Sequence, residues 1–193
     1  VTTESYDPKG AKKVLEDAGW VDTDGDGIRE KDGKKLVVKW LTYPTRQELP
    51  LLAEAAQASL KEIGIEVDIN NTLDVNEVVQ DASAWDVYAM ANVQAPTGDP
   101  EYWFRVFALS DSAKNQGKYS NAQLDALDEQ LSQEFDTAKR ADLAVQMQQI
   151  LLDDNAFVFC SFLKMSMISR SNVSNYTSHA CDYYQITADL DIE

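Results

Sequence analysis

The sequence predicts an α/β fold with a mixed, mostly parallel sheet flanked by helices. Stretches rich in β-branched and aromatic residues, typical of strands, occur at residues 35–43, 65–71 and 85–93. Two segments with helical spacing of apolar residues, 46–64 and 74–83, separate these strands. Strands that alternate with helices indicate βαβ units with right-handed crossovers. Ligands of such sheets bind beyond the carboxyl ends of the strands, so the residues that follow each strand are the first candidates for a site.

The first predicted helix covers residues 7–20 and carries start and stop signals. Asp7 is a suitable N-cap, Pro8 fits the first helical position and Gly19 fits the position after the helix. Gly64 is the corresponding stop signal for the helix at residues 46–64. Asp74 is the expected N-cap of the next helix.

The stretch DTDGDGIREKDGKKL at residues 22–36 has two interpretations. As a calcium loop of the EF-hand type, it places Asp22, Asp24 and Asp26 at ligand positions, but the twelfth position is Gly33 instead of a bidentate Glu. The segment that follows is also strand-like, whereas an EF-hand needs a helix there. The alternative is a hairpin in which the Asp-Gly pairs supply positive φ. If the first interpretation holds, Asp22, Asp24 and Asp26 are the candidate calcium ligands.

The second half of the chain is predicted to be mostly helical. Residues 101–110 form an aromatic helix that Asp99 caps. Two amphipathic helices follow at residues 121–135 and 136–154, and Asp136 is the expected N-cap of the second.

Residues 156–168 are apolar and predict a buried strand that contains Cys160. Cys160 is either a buried free thiol or the partner of Cys181 in a disulfide; the two do not form a CxxC motif. The chain has one histidine, His179, so a histidine-based metal site within this chain is not expected.

The composition excludes several classes of function. The chain has 193 residues, 33 of them acidic and 17 basic, which gives a net charge of −16. Such a charge excludes nucleic acid as a partner and disfavours an anionic membrane surface. No GxSxG, Walker A or HExxH motif is present, so we expect neither an enzyme nor a cofactor.

The loop QAPTGDP at residues 94–100 follows the third predicted strand and is the most informative segment. Asp99 and Pro100 are accounted for by the start of the next helix. The preceding residues are left free to face a cleft at the carboxyl end of the sheet. The segment TYPTR, which follows the first predicted strand, is the second candidate at this edge of the sheet. The ligand-binding residues predicted from the two segments and the strand end before the loop are Tyr43, Asn92, Gln94, Pro96 and Thr97.

Several motifs together resemble the carboxyl-terminal lobe of the extracytoplasmic solute-binding proteins of peptide and nickel ABC importers, solute-binding protein family 5. The motifs are YDPKGAKKVLEDAGWVDTDGDGIREKDGKKLVVKWLTYP at residues 6–44, AWDVYAMANVQAPTGDPEYWF at 84–104 and AKRADLAVQMQQILLDDNAFVF at 138–159. The resemblance implies the larger lobe of a type II periplasmic-binding-protein fold. It also implies that the Asp-rich stretch is a surface hairpin and not a calcium site.

The resemblance further implies how the molecule is organised. Residues 1–171 correspond to the carboxyl-terminal ligand-binding lobe, and residues 172–193 to a return segment that would pack on an amino-terminal lobe missing from this chain. The implied function is capture of a small solute outside the membrane by closure of two lobes, and delivery to the membrane subunits of an ABC permease. The implied location is the periplasm, or the outer face of the cell membrane for a lipoprotein.

The ligand class implied by the resemblance depends on the same loop. Peptide binders of the family typically carry a Trp and an Asp where this sequence has Val93 and Pro96, and that Asp pairs with the peptide's amino terminus. APTGDP instead resembles the nickel-type loop GAPYDP, although residues 105–120 lack the His that nickel-type members also use. The resemblance therefore favours nickel or a metal chelate, held mainly by backbone groups, Thr97 and groups from the missing lobe. The alternatives are an oligopeptide ligand or, in a different class, a calcium-stabilised structural or adhesion module.

Overall fold

The computed structural model describes residues 1–164, 166–179 and 186–192. The chain divides into two compact units. One consists of Glu4–Asn92, and the other of Val1–Thr3 together with Val93–Glu193.

In the first unit, strands and helices alternate as predicted. The second unit is mostly helical, also as predicted. The helices are α1 (Pro8–Asp17), α2 (Glu48–Lys61), α3 (Val75–Val78), α4 (Glu101–Trp103) continued by a π-helix (Phe104–Ala108), α5 (Ala122–Leu131) and α6 (Thr137–Asp153). The strands are β1 (Glu30–Lys31), β2 (Lys34–Lys35), β3 (Val37–Thr42), β4 (Glu66–Asn71), β5 (Val87–Tyr88), β6 (Val173–Ser174) and β7 (Asp191–Ile192).

A parallel three-stranded sheet organises the first unit. Its strand order is β4-β3-β5, and β3 pairs in parallel with both neighbours. The β3–β4 register runs from Val37 opposite Glu66 to Thr42 opposite Asn71. The predicted parallel sheet is confirmed, and the carboxyl ends of its strands share one edge.

The third strand is shorter than the predicted range of residues 85–93. The backbone N–H of Asp86 donates to the Lys39 carbonyl, and the Asp86 carboxylate accepts the Lys39 N–H at 2.8 Å. The N–H of Ala89 then donates to the Leu41 carbonyl, and β3 ends one residue later, at Thr42. Because β3 offers no further backbone partner, β5 covers only Val87–Tyr88.

The predicted signals at the ends of the long helices are confirmed. Asp7 caps α1 by accepting the Gly10 N–H, and Asp136 caps α6 by accepting the Lys139 N–H. Gly19 follows α1 with a φ of +87°, a conformation that favours glycine.

The predicted N-cap position of Asp74 is confirmed, but the predicted hydrogen bond of its side chain is not formed. Asp74 occupies the N-cap position of α3, but its side chain makes no cap hydrogen bond. Its backbone N–H instead donates to the Thr72 hydroxyl at 3.1 Å. Helix α3 has only four residues, and it is held by packing of Val75 and Val79 against Leu41.

The acidic stretch ends in the predicted hairpin. Strands β1 and β2 pair antiparallel around Asp32 and Gly33. These two residues have φ values of +51° and +74°, as a type I′ hairpin turn requires.

The prediction of a buried strand at residues 156–168 is wrong. The structure assigns no strand to any described residue of this segment, and Val158, Phe162 and Cys160 are exposed. An apolar, β-branched segment forms a strand only where a neighbouring strand accepts its backbone hydrogen bonds, and the described residues provide none. Cys181 lies outside the described residues, so its pairing with Cys160 stays a prediction.

Little of the predicted return segment, residues 172–193, forms regular structure in the described residues. Val173 pairs with Ile192 and Ser174 with Asp191 in a short antiparallel ladder. Residues 180–185 and Glu193 are outside the described part of the chain. The assignment of residues 172–193 as a return segment stays a prediction. Within the described residues, no helix has the combined length and apolar character that crossing a membrane needs.

Candidate functional site

The tip of the candidate ligand loop is a tight turn over residues 95–98. The N–H of Gly98 donates to the Ala95 carbonyl at 2.9 Å. Pro96 occupies the second position of this turn and Gly98 the fourth, a pattern typical of type I turns. Gly98 has a φ of +79°, so a side chain at this position would be strained. The turn presents Pro96 and Thr97 at its tip.

The predicted ligand residues of this loop have unoccupied polar groups. Gln94 and Pro96 are half-buried and Thr97 is exposed. Among the described residues, nothing forms a hydrogen bond with the side chains of Gln94 or Thr97. Their amide and hydroxyl groups are therefore available to a ligand, and their role in binding stays a prediction.

The only carboxylate of the loop, Asp99, accepts hydrogen bonds on both of its oxygens. Its Oδ1 accepts the Glu101 N–H at 2.9 Å, and the Nη2 of Arg140 donates to Oδ1 at 2.7 Å and to Oδ2 at 2.9 Å. Burial acts to raise the pKa of Asp99, but the Glu101 N–H and the Arg140 guanidinium outweigh burial and hold this pKa below its usual value. Asp99 is thus held in its ionised form, and both of its carboxylate oxygens already accept a hydrogen bond from Arg140.

Arg140 joins the loop to the end of α5. Its Nη1 donates to the carbonyls of Leu131 and Glu134, at 2.5 and 2.8 Å, while Nη2 also contacts Glu101 at 3.1 Å. Sequence reasoning did not single out this residue. Its position in the first turn of α6 was the available signal, because the dipole of a helix disfavours a cation there unless an anion lies nearby.

Tyr43 and Asn92 belong to the first unit, whereas Gln94, Pro96 and Thr97 belong to the second. Tyr43 packs against the core of its unit, and its hydroxyl accepts the Ala91 N–H at 3.3 Å. Asn92 is exposed, and no described group forms a hydrogen bond with its side chain.

Tyr88 is a further residue near Tyr43 that sequence reasoning missed. It packs against the same core cluster, and burial followed by the proximity of Tyr43 raises the pKa of its phenol. Both tyrosines lie near the carboxyl end of the sheet, since Tyr43 follows β3 and Tyr88 ends β5. The signal in the sequence was the position of Tyr88 in a predicted strand next to the candidate loop.

The carboxylates of the Asp-rich turn mainly bind the turn's own backbone. Asp22 accepts the N–H groups of Gly25 and Gly27 at 2.7 and 2.9 Å. Asp24 accepts the Asp26 N–H at 3.1 Å. Such side-chain to backbone bonds are the usual means by which Asp stabilises a turn.

A lysine also supplies positive charge to this turn. The ammonium of Lys35 contacts the carboxylate of Asp26 and lies 3.7 Å from that of Asp24. Among the described residues, oxygens of Asp22, Asp24 and Glu30 lie within 4.8 Å of one another, and Asp26 is not part of this group. The geometry favours a self-contained turn over the calcium loop, whose ligands would include Asp26.

Two open cavities lie within the individual units. One, of about 310 Å³, is lined by residues that include Arg29 and Gly64, and the other, of about 470 Å³, by residues that include Arg105 and Asp128. Neither cavity is lined by any of the five predicted ligand residues.

Comparison with known proteins identifies similar molecules. A model of the bacterial extracellular solute-binding proteins, family 5 Middle, matches residues 1–115. The nickel-binding protein NikA of Staphylococcus aureus is 29% identical over 174 residues, which are 88% of this chain and 34% of that protein. The oligopeptide-binding protein AppA of Bacillus subtilis is 30% identical over 178 residues, which are 90% of this chain and 32% of that protein. The chain thus spans about a third of the length of these curated relatives.

A solved structure of Staphylococcus aureus NikA in complex with Ni(L-His)2 has a similar fold. It superposes with a TM-score of 0.75 at 25% identity and covers 98% of this chain and 38% of that one. This similarity confirms the predicted α/β fold of the type II periplasmic-binding-protein class.

Proposed function

The chain belongs to the family 5 bacterial extracellular solute-binding proteins, and we propose that it forms part of the substrate-binding component of an ABC importer for nickel or a metal chelate. The similarity to solute-binding proteins of importers supports the coarser role of solute binding. Capture takes place outside the membrane, and the loaded protein delivers its cargo to the membrane subunits of the permease.

The observation that carries the choice of cargo is the state of Asp99. A peptide ligand presents an ammonium group, which a free carboxylate in a binding loop neutralises best. Residues 93–100 contain no carboxylate other than Asp99, and Asp99 is held by Arg140 and the Glu101 N–H. This segment therefore offers a peptide's amino terminus no free anion.

The nickel relatives support the same choice. NikA of Staphylococcus aureus matches most of this chain, and its solved structure holds nickel as a histidine complex. Residues 105–120 contain no His in this chain, so this segment supplies no imidazole to the metal. A chelate brings its own metal ligands and needs only outer contacts, such as the Thr97 hydroxyl and backbone groups of the loop.

In the proposed mechanism, residues 1–171 form one ligand-binding lobe and residues 172–193 return to an amino-terminal lobe. The ligand binds between the lobes and stabilises the closed state by its greater affinity for that state. Tyr43, Asn92, Gln94, Pro96 and Thr97 are the contacts proposed from this chain. The proposed location is extracytoplasmic, in the periplasm or on a lipid anchor at the outer face of the membrane.

The second candidate cargo is an oligopeptide. The oligopeptide-binding protein AppA of Bacillus subtilis is 30% identical to this chain, a value close to that of NikA. A peptide carrier would need an anion from outside residues 93–100 to hold the peptide's ammonium group.

A thermal-shift panel on the complete gene product tests the proposal. The probes are free nickel, nickel with excess histidine, di- to pentapeptides, and calcium. A ligand at a hundred times its Kd adds roughly 2.7 kcal/mol to the free energy of unfolding, which gives a readily measured rise in Tm. We expect nickel with histidine to raise Tm, and peptides and calcium to leave it unchanged.

Two variants add a control at the loop. Thr97→Val removes the exposed hydroxyl and should reduce the rise in Tm, whereas Thr3→Val, at an exposed threonine outside the loop, should not. A rise with peptides alone would replace the metal chelate by the oligopeptide candidate. A rise with calcium alone that disappears in Asp22→Ala would favour the calcium-stabilised module.

A further inference from the structure

We propose that Arg140 is a positioning residue for the ligand loop, which fixes residues 94–101 to the end of α5 and withholds Asp99 from the ligand. This inference rests on the proposed role of the loop in binding. It assigns the specificity of the loop partly to a residue that lies about forty positions later in the chain.

The first support is the number of acceptors that one guanidinium serves. Nη1 donates to the carbonyls of Leu131, the last residue of α5, and of Glu134 in the turn that follows, and Nη2 donates to the carboxylates of Asp99 and Glu101. The Arg140 and Glu101 side chains are 17% and 18% exposed and the Asp99 side chain 45%, so the guanidinium itself is sheltered from water although its Asp99 partner is partly exposed. A planar guanidinium can meet these acceptors at once, but a lysine ammonium, with its single nitrogen, cannot.

The second support is the position of Asp99 relative to the turn. Asp99 directly follows Gly98, which closes the turn that carries Pro96 and Thr97. The same Asp99 carboxylate accepts the Glu101 N–H at the start of α4. Arg140 therefore holds the carboxyl-terminal end of the turn, and the orientation of the Thr97 hydroxyl depends on that anchor.

The third support is the local charge balance. Glu101 pairs with Arg105 at 2.7 Å as well as with Arg140, and Arg105 also pairs with Asp128, so three carboxylates share two guanidinium groups. Removal of Arg140 leaves Asp99 without a cationic partner. Asp99 would then be free to accept the ammonium group of a peptide, a contact that the wild-type loop does not offer.

The first experiment measures the loop itself, without any ligand. Amide hydrogen exchange at residues 94–101 is compared for wild type, Arg140→Gln and Arg140→Lys in the complete gene product. We expect exchange to be at least about tenfold faster in both variants, because a network of charge-assisted hydrogen bonds is lost. Lys139→Gln is the matched control: it removes the same charge one position earlier, from a side chain that is 70% exposed, and should leave the loop unchanged.

The variant Asp99→Asn distinguishes the contact of Arg140 with the loop from its contacts at the end of α5. This variant weakens the contact of Arg140 with the loop but keeps the hydrogen bonds of Arg140 to Leu131 and Glu134. The proposal can therefore be tested with Asp99→Asn even if Arg140→Gln fails to fold. Faster exchange confined to residues 94–101 in Asp99→Asn supports the proposal. Unchanged exchange there, or equal acceleration in Lys139→Gln, overturns it.

The second experiment measures specificity by thermal shift with nickel–histidine and with tetraalanine as probes. Arg140→Gln should lose at least half of the rise in Tm that nickel–histidine gives and should gain a rise with tetraalanine. Adding Asp99→Asn should abolish the gain. If neither probe affects the wild type, the proposed function fails while the exchange experiment still decides the positioning role. If nickel–histidine binds wild type and Arg140→Gln equally, the positioning role fails alone.

Discussion

Asp128 shows how a single buried carboxylate responds to its surroundings. Its side chain is almost fully buried in α5, its Oδ2 accepts a hydrogen bond from the Nε of Arg105 at 3.1 Å, and its Oδ1 has no partner among the described residues. Burial raises the pKa of Asp128, Arg105 opposes this effect, and the negative charges of Glu101 and Asp111 add to it. The folded state therefore binds a proton at this carboxylate more tightly than the unfolded chain does.

The sign of this pKa shift predicts a pH dependence. Because the folded pKa lies above the unfolded value of about 3.9, the contribution of Asp128 to stability decreases as pH rises between these two values. Asp128→Asn cannot ionise and should gain stability relative to wild type from pH 4 to pH 7. Urea unfolding at both pH values measures the difference.

The control for this pH series is Asp142→Asn, which changes an exposed carboxylate of α6. The difference in unfolding free energy between this variant and wild type should change less with pH. A difference between Asp128→Asn and wild type that stays constant, or moves in wild type's favour as pH rises, would contradict the assigned pKa shift.

The sequence predicts residues whose partners are close along the chain, but not residues whose partners are far apart in sequence. The caps Asp7 and Asp136 bind backbone three positions away, so their chemistry is visible in the sequence. Arg140 and Asp99 are 41 positions apart, and Arg105 and Asp128 are 23 apart. Neither pair follows from spacing, because the fold alone brings its members together.

At the scale of elements, the end of α2 is fixed by a close contact between a glycine and an arginine. Gly64 follows the helix with a φ of +88°, and a Cβ at this position would lie 2.7 Å from Cγ of Arg29. Arg29 is buried and donates to the carbonyls of Ile63 and Trp20. The conformation of the loop between α2 and β4 thus requires glycine at residue 64.

Gly64→Ala should lower the free energy of unfolding by about 2–4 kcal/mol, from left-handed strain and displacement of the Arg29 bonds. Gly25→Ala is the matched control. Gly25 has a φ of +81°, but a Cβ added there would meet nothing within 4 Å, so only the strain of about 1–2 kcal/mol applies. Chemical denaturation measures both losses, and equal losses would show that the Arg29 contact contributes nothing.

The elements that the sequence predicts well are those that carry their own start and stop signals or a clear apolar periodicity. Helices α1, α2, α5 and α6 have N-caps, glycine stops or apolar periodicity, and strands β3 and β4 are each bounded by turns. The predicted strands at residues 85–93 and 156–168 share the right composition but depend on a neighbour. A strand exists only along the length of its partner, which the composition of one segment does not specify.

At the scale of the whole molecule, the described chain leaves many apolar side chains in water. Val158, Phe162, Leu163 and Ile168 of the segment after α6 are all more than half exposed. A sustained exposed apolar stretch is unusual for a monomeric protein and marks a surface for interaction. The proposed amino-terminal lobe would cover this surface.

The proposed two-lobe mechanism predicts how affinity depends on chain length. Small-molecule sites bury roughly 70–90% of the ligand surface, so one wall supplies only part of the contacts. The complete gene product should bind nickel–histidine at least about a hundredfold more tightly than residues 1–193 alone, a difference of roughly 2.7 kcal/mol. Isothermal titration of both proteins measures it, with circular dichroism to establish that the shorter chain is folded. Equal affinities would place the whole binding site within this chain and would refute closure of two lobes as the source of binding energy.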